Sequence, residues 1–134
     1  MSQKVILCVD DEKIVLTSLK MQIKKHFARN YVYELAESVD EAWEIIEELT
    51  AEGAEIMMIV SDWLMPRIKG DEFLVQIHQR FPNITKVMLT GQADEAAIKR
   101  AQCDANLYAC IHKPWHENEL IEILESGLNK PIYN

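Results

Sequence analysis

Three carboxylates, one hydroxyl and one ammonium group follow short apolar runs at widely separated points of the sequence. They belong to Asp10, Asp11, Asp62, Thr90 and Lys113. Carboxylates held close together repel one another, and one of them stays protonated unless a cation lies between them. Magnesium suits such a group, because it prefers oxygen ligands, often takes only one or two carboxylates and keeps several water molecules. These residue types therefore fit a magnesium site if the fold brings them together.

A carboxylate in such a group can also act as a nucleophile. It can attack a phosphorus centre and become an acyl phosphate. The metal and a lysine would neutralise charge on the transferred group, while a hydroxyl could donate to another of its oxygens. Asp62 is the candidate nucleophile, since it ends an apolar run and no helix starts directly after it. Each of the other residues also has a simpler explanation, because Asp and Thr can cap helices or serve turns and lysine is usually a surface residue.

The elements that must position these side chains can be predicted from the apolar pattern. Short apolar runs predict five strands, at about 4–9, 31–36, 56–61, 86–89 and 107–111. Apolar residues at helical spacing predict five intervening helices, at about 13–28, 39–49, 73–81, 93–102 and 117–127. Alternation of this kind predicts an α/β fold whose parallel sheet is covered on both faces. Sites in such sheets form beyond the carboxyl ends of the strands, where these side chains occur.

The overall composition narrows the classes of protein to consider. The length of 134 residues and the 49% of hydrophobic residues fit one domain with one core. The net charge of −8 argues against a surface for nucleic acid or for anionic membranes, since both need basic patches. The sequence shows no signal peptide and no apolar run that approaches a membrane span. We expect a cytoplasmic protein in which 1–134 form a single domain, with its core at about 4–128.

The four motifs together resemble the receiver domains of two-component response regulators, over about residues 4–128. The motifs are Val9-Asp10-Asp11-Glu12, Asp62-Trp63-Leu64-Met65-Pro66 with Gly70 beyond it, Leu89-Thr90-Gly91, and Lys113-Pro114-Trp115. The resemblance implies the flavodoxin-like, doubly wound fold, with strand order 2-1-3-4-5 and five helices. It also implies a phosphorylation-driven switch of protein-protein contacts, which catalyses only its own phosphorylation and slow dephosphorylation.

The resemblance also assigns the metal site. Asp62 would be the phosphoacceptor, and it would ligate Mg²⁺ or Mn²⁺ together with Asp11. The backbone carbonyl of Leu64 would be a further direct ligand, and Asp10 would act through a water molecule.

The resemblance assigns the phosphate contacts and the partners as well. Thr90 would bind a phosphoryl oxygen, Lys113 would pair with the phosphate, and the peptide bond between Lys113 and Pro114 would be cis. A sensor histidine kinase or a phosphotransfer protein would supply the phosphoryl group. The fourth helix, fifth strand and fifth helix would form the readout face, where a downstream protein would bind or a homodimer would form.

One departure from the family pattern concerns the switch itself. Receivers usually carry an aromatic residue three positions before the lysine, and this residue moves inward with the hydroxyl residue. Here that position is Cys110. Alternation along the fifth strand predicts that Tyr108 points to the same face as Cys110. The switch would therefore use a smaller residue, or Tyr108 would cover part of the aromatic role.

A second departure concerns the lifetime of the phosphoryl group. Leu64 and Gln92 occupy the positions that flank the path of the hydrolytic water in such domains. An apolar Leu64 offers that water no hydrogen bond, although Gln92 could. The pair predicts a fairly long-lived phosphoryl state. Nearby, Trp63 and Trp115 either pack at the rim of the site or contact a partner.

Three other classes of protein compete with this interpretation. A haloacid-dehalogenase-type phosphatase uses similar groups, but it needs an Asp-x-Asp pair after the first strand, whereas Asp10 and Asp11 are adjacent. A flavin-binding module would need a phosphate-binding loop at that point, where these acids would repel phosphate. A receiver-like scaffold that is never phosphorylated would have no need of so costly an acidic cluster.

Overall fold

The computed structural model describes residues 3–92 and 94–129. Its strands are β1 (Lys4–Val9), β2 (Val32–Ala36), β3 (Glu55–Asp62), β4 (Thr85–Thr90) and β5 (Ala109–His112), and its helices are α1 (Lys13–Phe27), α2 (Val39–Ala51), α3 (Gly70–Arg80), α4 (Glu95–Asp104) and α5 (Glu117–Leu128). The strands form one parallel sheet in the order β2-β1-β3-β4-β5. The predicted fold class and strand order are confirmed. Within the described residues, no helix combines the length and apolar character needed to cross a membrane.

The sheet separates two apolar layers, because its continuous apolar strands present side chains to both faces. On one face α1 and α5 cover the strands, with Leu19, Ile23, Leu120 and Leu124 fully buried. On the other face α2, α3 and α4 pack against the sheet, and this layer includes Ile46, Phe73, Leu74, Ile77 and Met88. Burying a side chain of this size contributes about 1.5–3 kcal/mol. These two layers fix the strands whose ends carry the predicted site.

Helix α4 differs from the others in how little apolar surface it buries. Its buried residues are Ala97 and Ala101, and it packs mainly against α3. The helix begins at Glu95 because Asp94 caps it, with the Asp94 carboxylate accepting a hydrogen bond from the backbone N–H of Ala96 at 2.7 Å. The predicted start at 93 falls on Ala93, which lies outside the described residues.

The expectation that Tyr108 and Cys110 share a face is wrong. Strand β5 begins at Ala109, so the alternation of the pleat does not extend back to Tyr108. The Tyr108 ring lies beside Gly127 of α5, and its hydroxyl is hydrogen-bonded to the hydroxyl of Ser126. Cys110 instead packs against the layer that contains α2, α3 and α4. Tyr108 therefore cannot take the place of an aromatic residue at position 110.

Candidate functional site

The carboxyl ends of four strands bring the five predicted side chains to one edge of the sheet. Asp62 ends β3 and Thr90 ends β4, whereas the others follow β1 or β5 directly. The register of the parallel strands brings the ends of β3, β4 and β5 to the same edge of the sheet, since Asp62 pairs with Leu89 and Thr90 pairs with His112. The edge that the sequence predicts is therefore the one at which the acids, the hydroxyl and the lysine meet.

An ammonium group bridges two of the buried carboxylates. Lys113 Nζ lies 2.9 Å from Asp10 Oδ2 and 3.0 Å from Asp62 Oδ1. Asp10 is fully buried, and its other oxygen accepts a hydrogen bond from the backbone N–H of Glu12 at 2.9 Å. Burial acts to lower the pKa of Lys113, but its hydrogen bonds to Asp10 and Asp62 and their charges outweigh burial and raise it above the ordinary value. The lysine is thus a fixed positive charge within the site.

The carboxyl group of Asp62 is difficult to ionise in this setting. Only 5% of the residue is exposed, and this burial raises its pKa to about 6. The hydrogen bond from Lys113 lowers the pKa, while the negative charges of Asp10 and Asp11 raise it again. Lys113 alone therefore does not balance the negative charge at this edge, and a further cation would favour the ionised form of Asp62.

The donor set fits a hard divalent cation. Asp10, Asp11 and Asp62 each offer an oxygen atom, and these atoms lie within 4.8 Å of one another. Asp10 and Asp62 are buried, whereas Asp11 is exposed and open to water. Carboxylate and water oxygens are the ligands that Mg²⁺ and Mn²⁺ prefer. The residues present are thus suited to the metal that the sequence predicts.

The hydroxyl of Thr90 is a buried polar group that lacks a protein partner. Its Oγ1 atom is fully buried and has no hydrogen-bond partner among the described residues. Leaving such a group unsatisfied costs about 1–3 kcal/mol. The backbone around it is nevertheless held in place, because the N–H of Lys113 donates to the Thr90 carbonyl at 2.8 Å. Thr90 therefore offers a hydrogen bond to a group that enters the site.

An open cleft of about 610 Å³ leads to Asp62. Leu64 and Gln92 line it, as do Asp11 and Lys113, and Leu64 is 59% exposed. The peptide bond between Lys113 and Pro114 is cis. The cleft gives a partner molecule access to the acidic group from the solvent.

A glycine allows α3 to start directly against the end of β3. A Cβ atom at Gly70 would lie 2.1 Å from the carbonyl oxygen of Asp62, so no other residue fits without moving the backbone. The N–H of Gly70 donates to the carbonyl of Trp63 at 2.6 Å, and the N–H of Trp63 donates to the carbonyl of Leu89 at 2.8 Å. The segment after Asp62 is thereby tied to both α3 and β4.

Both tryptophans beside the site have side-chain hydrogen bonds within the domain. Trp63 is 8% exposed, and its indole N–H donates to Asp71 Oδ1 at 3.0 Å. Trp115 donates to Gln22 Oε1 at 2.8 Å. Sequence reasoning missed Asp71, which is only 5% exposed. The available signal was its position three residues before Leu74, on the buried stripe of α3.

The comparison with protein families decides the classification. Residues 6–125 match the model of the response regulator receiver domain. The chain belongs to this family. Receiver domains take part in two-component signalling, and they generally act as phosphoacceptor switches rather than as enzymes.

This receiver domain is similar in sequence to parts of longer signalling proteins. It is 28% identical to the hydrogenase transcriptional regulatory protein HoxA of Cupriavidus necator, over 94% of this chain and 24% of that protein. It is 30% identical to the sensor kinase CckA of Brucella abortus, over 93% of this chain and 12% of that protein. The chain thus spans a quarter or less of the length of these two relatives.

Solved structures agree with the receiver fold over nearly the whole chain. The signal receiver domain of an HD domain-containing protein from Pseudomonas fluorescens gives a TM-score of 0.82 at 26% identity, covering 94% of each chain. A CheY-like response regulator receiver domain from Methanospirillum hungatei gives a TM-score of 0.81 at 28% identity, covering 96% of this chain and 95% of that one. The predicted family is confirmed by sequence and by structure.

Proposed function

We propose that this receiver domain accepts a phosphoryl group on Asp62, in a reaction that requires Mg²⁺ or Mn²⁺. The observation that carries the proposal is the convergence on Asp62 of a bridging ammonium group and an unpartnered hydroxyl, those of Lys113 and Thr90. Lys113 already pairs with Asp10 and Asp62, whereas the Thr90 hydroxyl has no hydrogen-bond partner among the described residues. Both have a role once a phosphoryl group is attached to Asp62.

The chemistry follows from the side chains in place. An oxygen of Asp62 attacks phosphorus, and the bond from phosphorus to the donor's imidazole nitrogen breaks with its electron pair left on that nitrogen. Lys113 neutralises charge on the transferred group, and the Thr90 hydroxyl donates to one of its oxygens. Asp11, Asp62 and the carbonyl of Leu64 would hold the metal ion directly, and Asp10 would do so through a water molecule. The ion would supply further positive charge for the phosphoryl oxygens. The domain contributes positioning and charge, and catalyses only its own phosphorylation and slow dephosphorylation.

The partners follow from this chemistry. The phosphodonor would be a sensor histidine kinase or a phosphotransfer protein, in agreement with the similarity to the sensor kinase CckA. Binding of the phosphate by Thr90 would alter the face formed by α4, β5 and α5, where a downstream protein or a second copy would bind. Residues 1–134 would form one receiver domain with its core at about 4–128. We place it in the cytoplasm, since all three cysteines are free, as expected in a reducing compartment.

The lifetime of the phosphoryl group is proposed to be long. Leu64 is exposed in the cleft but offers no hydrogen bond to an attacking water, and Gln92 is a polar side chain that also lines the cleft. Replacing Leu64 with Asn should shorten the lifetime, whereas Met21→Asn, an equally polar change at an exposed position on α1, should not. A lifetime of seconds for the unchanged protein with magnesium would contradict the proposal.

The direct test is intact-mass analysis after incubation with acetyl phosphate and magnesium. We expect one phosphoryl adduct, which is lost in Asp62→Asn and when the metal is chelated. Asp104→Asn, which removes an exposed carboxylate at the end of α4, should still form the adduct. Protein that stays unmodified would favour a scaffold that is never phosphorylated, and turnover of many phosphate esters would favour a phosphatase.

A further inference from the structure

We propose that Trp63, Asp71 and Arg100 form a polar connection that transmits the state of Asp62 to α4. The connection would replace the inward-moving aromatic residue that is absent at Cys110. The inference rests on the proposed phosphorylation of Asp62 and names the route by which this domain reports it. It depends on three features: where Trp63 is held, how deeply Asp71 is buried, and how weakly α4 is anchored.

The first step joins the acceptor to a buried carboxylate. Trp63 follows Asp62 in the chain, and its backbone is fixed between β4 and α3 by the bonds to Leu89 and Gly70. Its indole N–H then reaches Asp71 Oδ1 at 3.0 Å, and both side chains are almost completely buried. A displacement of the backbone beside Asp62 therefore moves the donor of a hydrogen bond to a buried charge.

The second step crosses from α3 to α4. Arg100 Nη1 lies 4.0 Å from Asp71 Oδ2, so the two groups attract one another without a direct hydrogen bond. The attraction is weakly screened on one side, since the Asp71 side chain is 8% exposed while that of Arg100 is 54% exposed. A small change in the position of Asp71 would open this pair or close it to hydrogen-bonding distance.

The third feature is the weak apolar attachment of α4. It buries Ala97 and Ala101, whose side chains are single methyl groups, and it packs mainly against α3. Cys110 is the β5 residue that packs against the same layer, and it is small. The one large apolar side chain of α4 on this layer, Ile98, is only partly buried. Because little apolar surface holds α4, a charged contact can contribute to its position. Arg100 makes that contact with Asp71, which lies in the first turn of α3.

The domain carries a natural attachment site for a reporter on α4. Cys103 is exposed, whereas Cys8 is buried and has its pKa raised to about 12 by burial. Cys110 is half-buried, and burial raises its pKa as well. Because the thiolate is the reactive form, an environment-sensitive maleimide dye should label Cys103. Cys103→Ser, treated in the same way, would show any label at the other two positions.

The experiment compares the change in dye emission when beryllofluoride and magnesium are added as a stable substitute for the phosphoryl group. We expect the unchanged domain to respond, and Trp63→Phe and Arg100→Gln to lose most of the response. The double variant should lose no more than either single variant, because both interrupt one connection. Arg100→Lys, which keeps the charge, should retain part of the response.

Two matched controls separate the connection from general effects of charge. Lys99→Gln removes a cation one helical turn from the dye. Arg80→Gln breaks the 2.8 Å pair between Arg80, at the end of α3, and Glu47. Both should respond as the unchanged domain does. Arg100→Gln changes an exposed side chain, so it tests the proposal even if Trp63→Phe fails to fold.

The outcomes distinguish this inference from the proposed function. If acetyl phosphate gives no adduct on the unchanged domain, the function itself fails. If the adduct forms but the dye does not respond, or responds equally in Trp63→Phe and Arg100→Gln, phosphorylation stands and the connection is overturned.

Discussion

Helix α4 is attached to the domain in a different way from α1 and α5, which lie on the other face of the sheet. On one face α1 and α5 bury Leu19, Ile23, Leu120 and Leu124 completely, and exposed ion pairs such as Lys25–Glu117 only supplement this contact. On the other face α4 buries two alanines and pairs an arginine with a buried carboxylate. Apolar packing is strong and cannot be adjusted by a nearby charge, whereas a charged pair can. The site at the end of β3 is therefore better placed to move α4 than to move α1 or α5.

The largest expected effect on stability is the loss of apolar packing between α5 and the sheet. Leu124→Ala removes a fully buried side chain of α5 and should lower the free energy of unfolding by about 2–5 kcal/mol. Ala101→Gly, at the most buried position of α4, should lower it by only about 1 kcal/mol. Urea denaturation followed by circular dichroism measures both. Equal losses would show that α4 is anchored as firmly as α5.

A matched pair of tryptophan substitutions tests the hydrogen bond between Trp63 and the buried Asp71. Trp63→Phe and Trp115→Phe each remove one indole N–H and a similar volume of ring. The first leaves a buried carboxylate with one bond fewer, so we expect a loss of about 1.5–3 kcal/mol. The second breaks a bond to the neutral, half-buried Gln22 and should cost about 0.5–1.5 kcal/mol. If thermal unfolding ranks the two variants in the opposite order, Asp71 does not depend on Trp63.

The phosphoacceptor itself should destabilise the fold when it is ionised. Burial raises the pKa of Asp62 to about 6, above its value of about 3.9 in the unfolded chain. The folded protein therefore holds a proton more tightly, and stability falls as the pH rises from about 4 to about 6. In buffer with a chelator, Asp62→Asn should be about 1–3 kcal/mol more stable than the unchanged domain near pH 8, because the neutral amide avoids the cost of ionising Asp62, a cost that already includes the pair with Lys113.

The pH dependence provides the check on this prediction. The advantage of Asp62→Asn should shrink as the pH falls through 6 and should be absent below about 4. Unfolding by urea at several pH values measures it. A variant that is less stable than the unchanged domain near pH 8 would mean that Lys113 dominates over burial at Asp62.

The smallest effects should come from the ion pairs at the surface. Lys25→Gln breaks a 3.4 Å pair whose side chains are 73% and 41% exposed, so stability should change by less than about 0.5 kcal/mol. Arg100→Gln removes the counter-charge of a buried carboxylate and should cost more, up to about 1 kcal/mol, because Asp71 is shielded from the solvent. Calorimetry of the two variants side by side gives the comparison. Equal values would place the Arg100 pair among ordinary surface contacts.

Two features could be predicted because they follow from short-range sequence patterns. One is the parallel sheet, and the other is the cluster of acids, hydroxyl and lysine at its edge. A continuous apolar run indicates a strand covered on both faces, and parallel strands end at a common edge. The face occupied by Tyr108 could not be predicted, because it depends on whether the pleat begins at Ala109 or earlier, which pairing with β4 decides. The bond from Trp63 to Asp71 could not be predicted either, since the irregular segment between them has no periodicity from which a contact can be calculated.

The close approach of Gly70 to the carbonyl of Asp62 has a consequence for engineering. A library that randomises position 70 should return glycine in nearly every folded clone, whatever is selected downstream. Exchanging parts between receiver domains is restricted in the same way, because the acceptor and the first residue of α3 belong to one unit of backbone. A graft that alters the binding cleft should therefore transfer residues 62–70 as a single cassette.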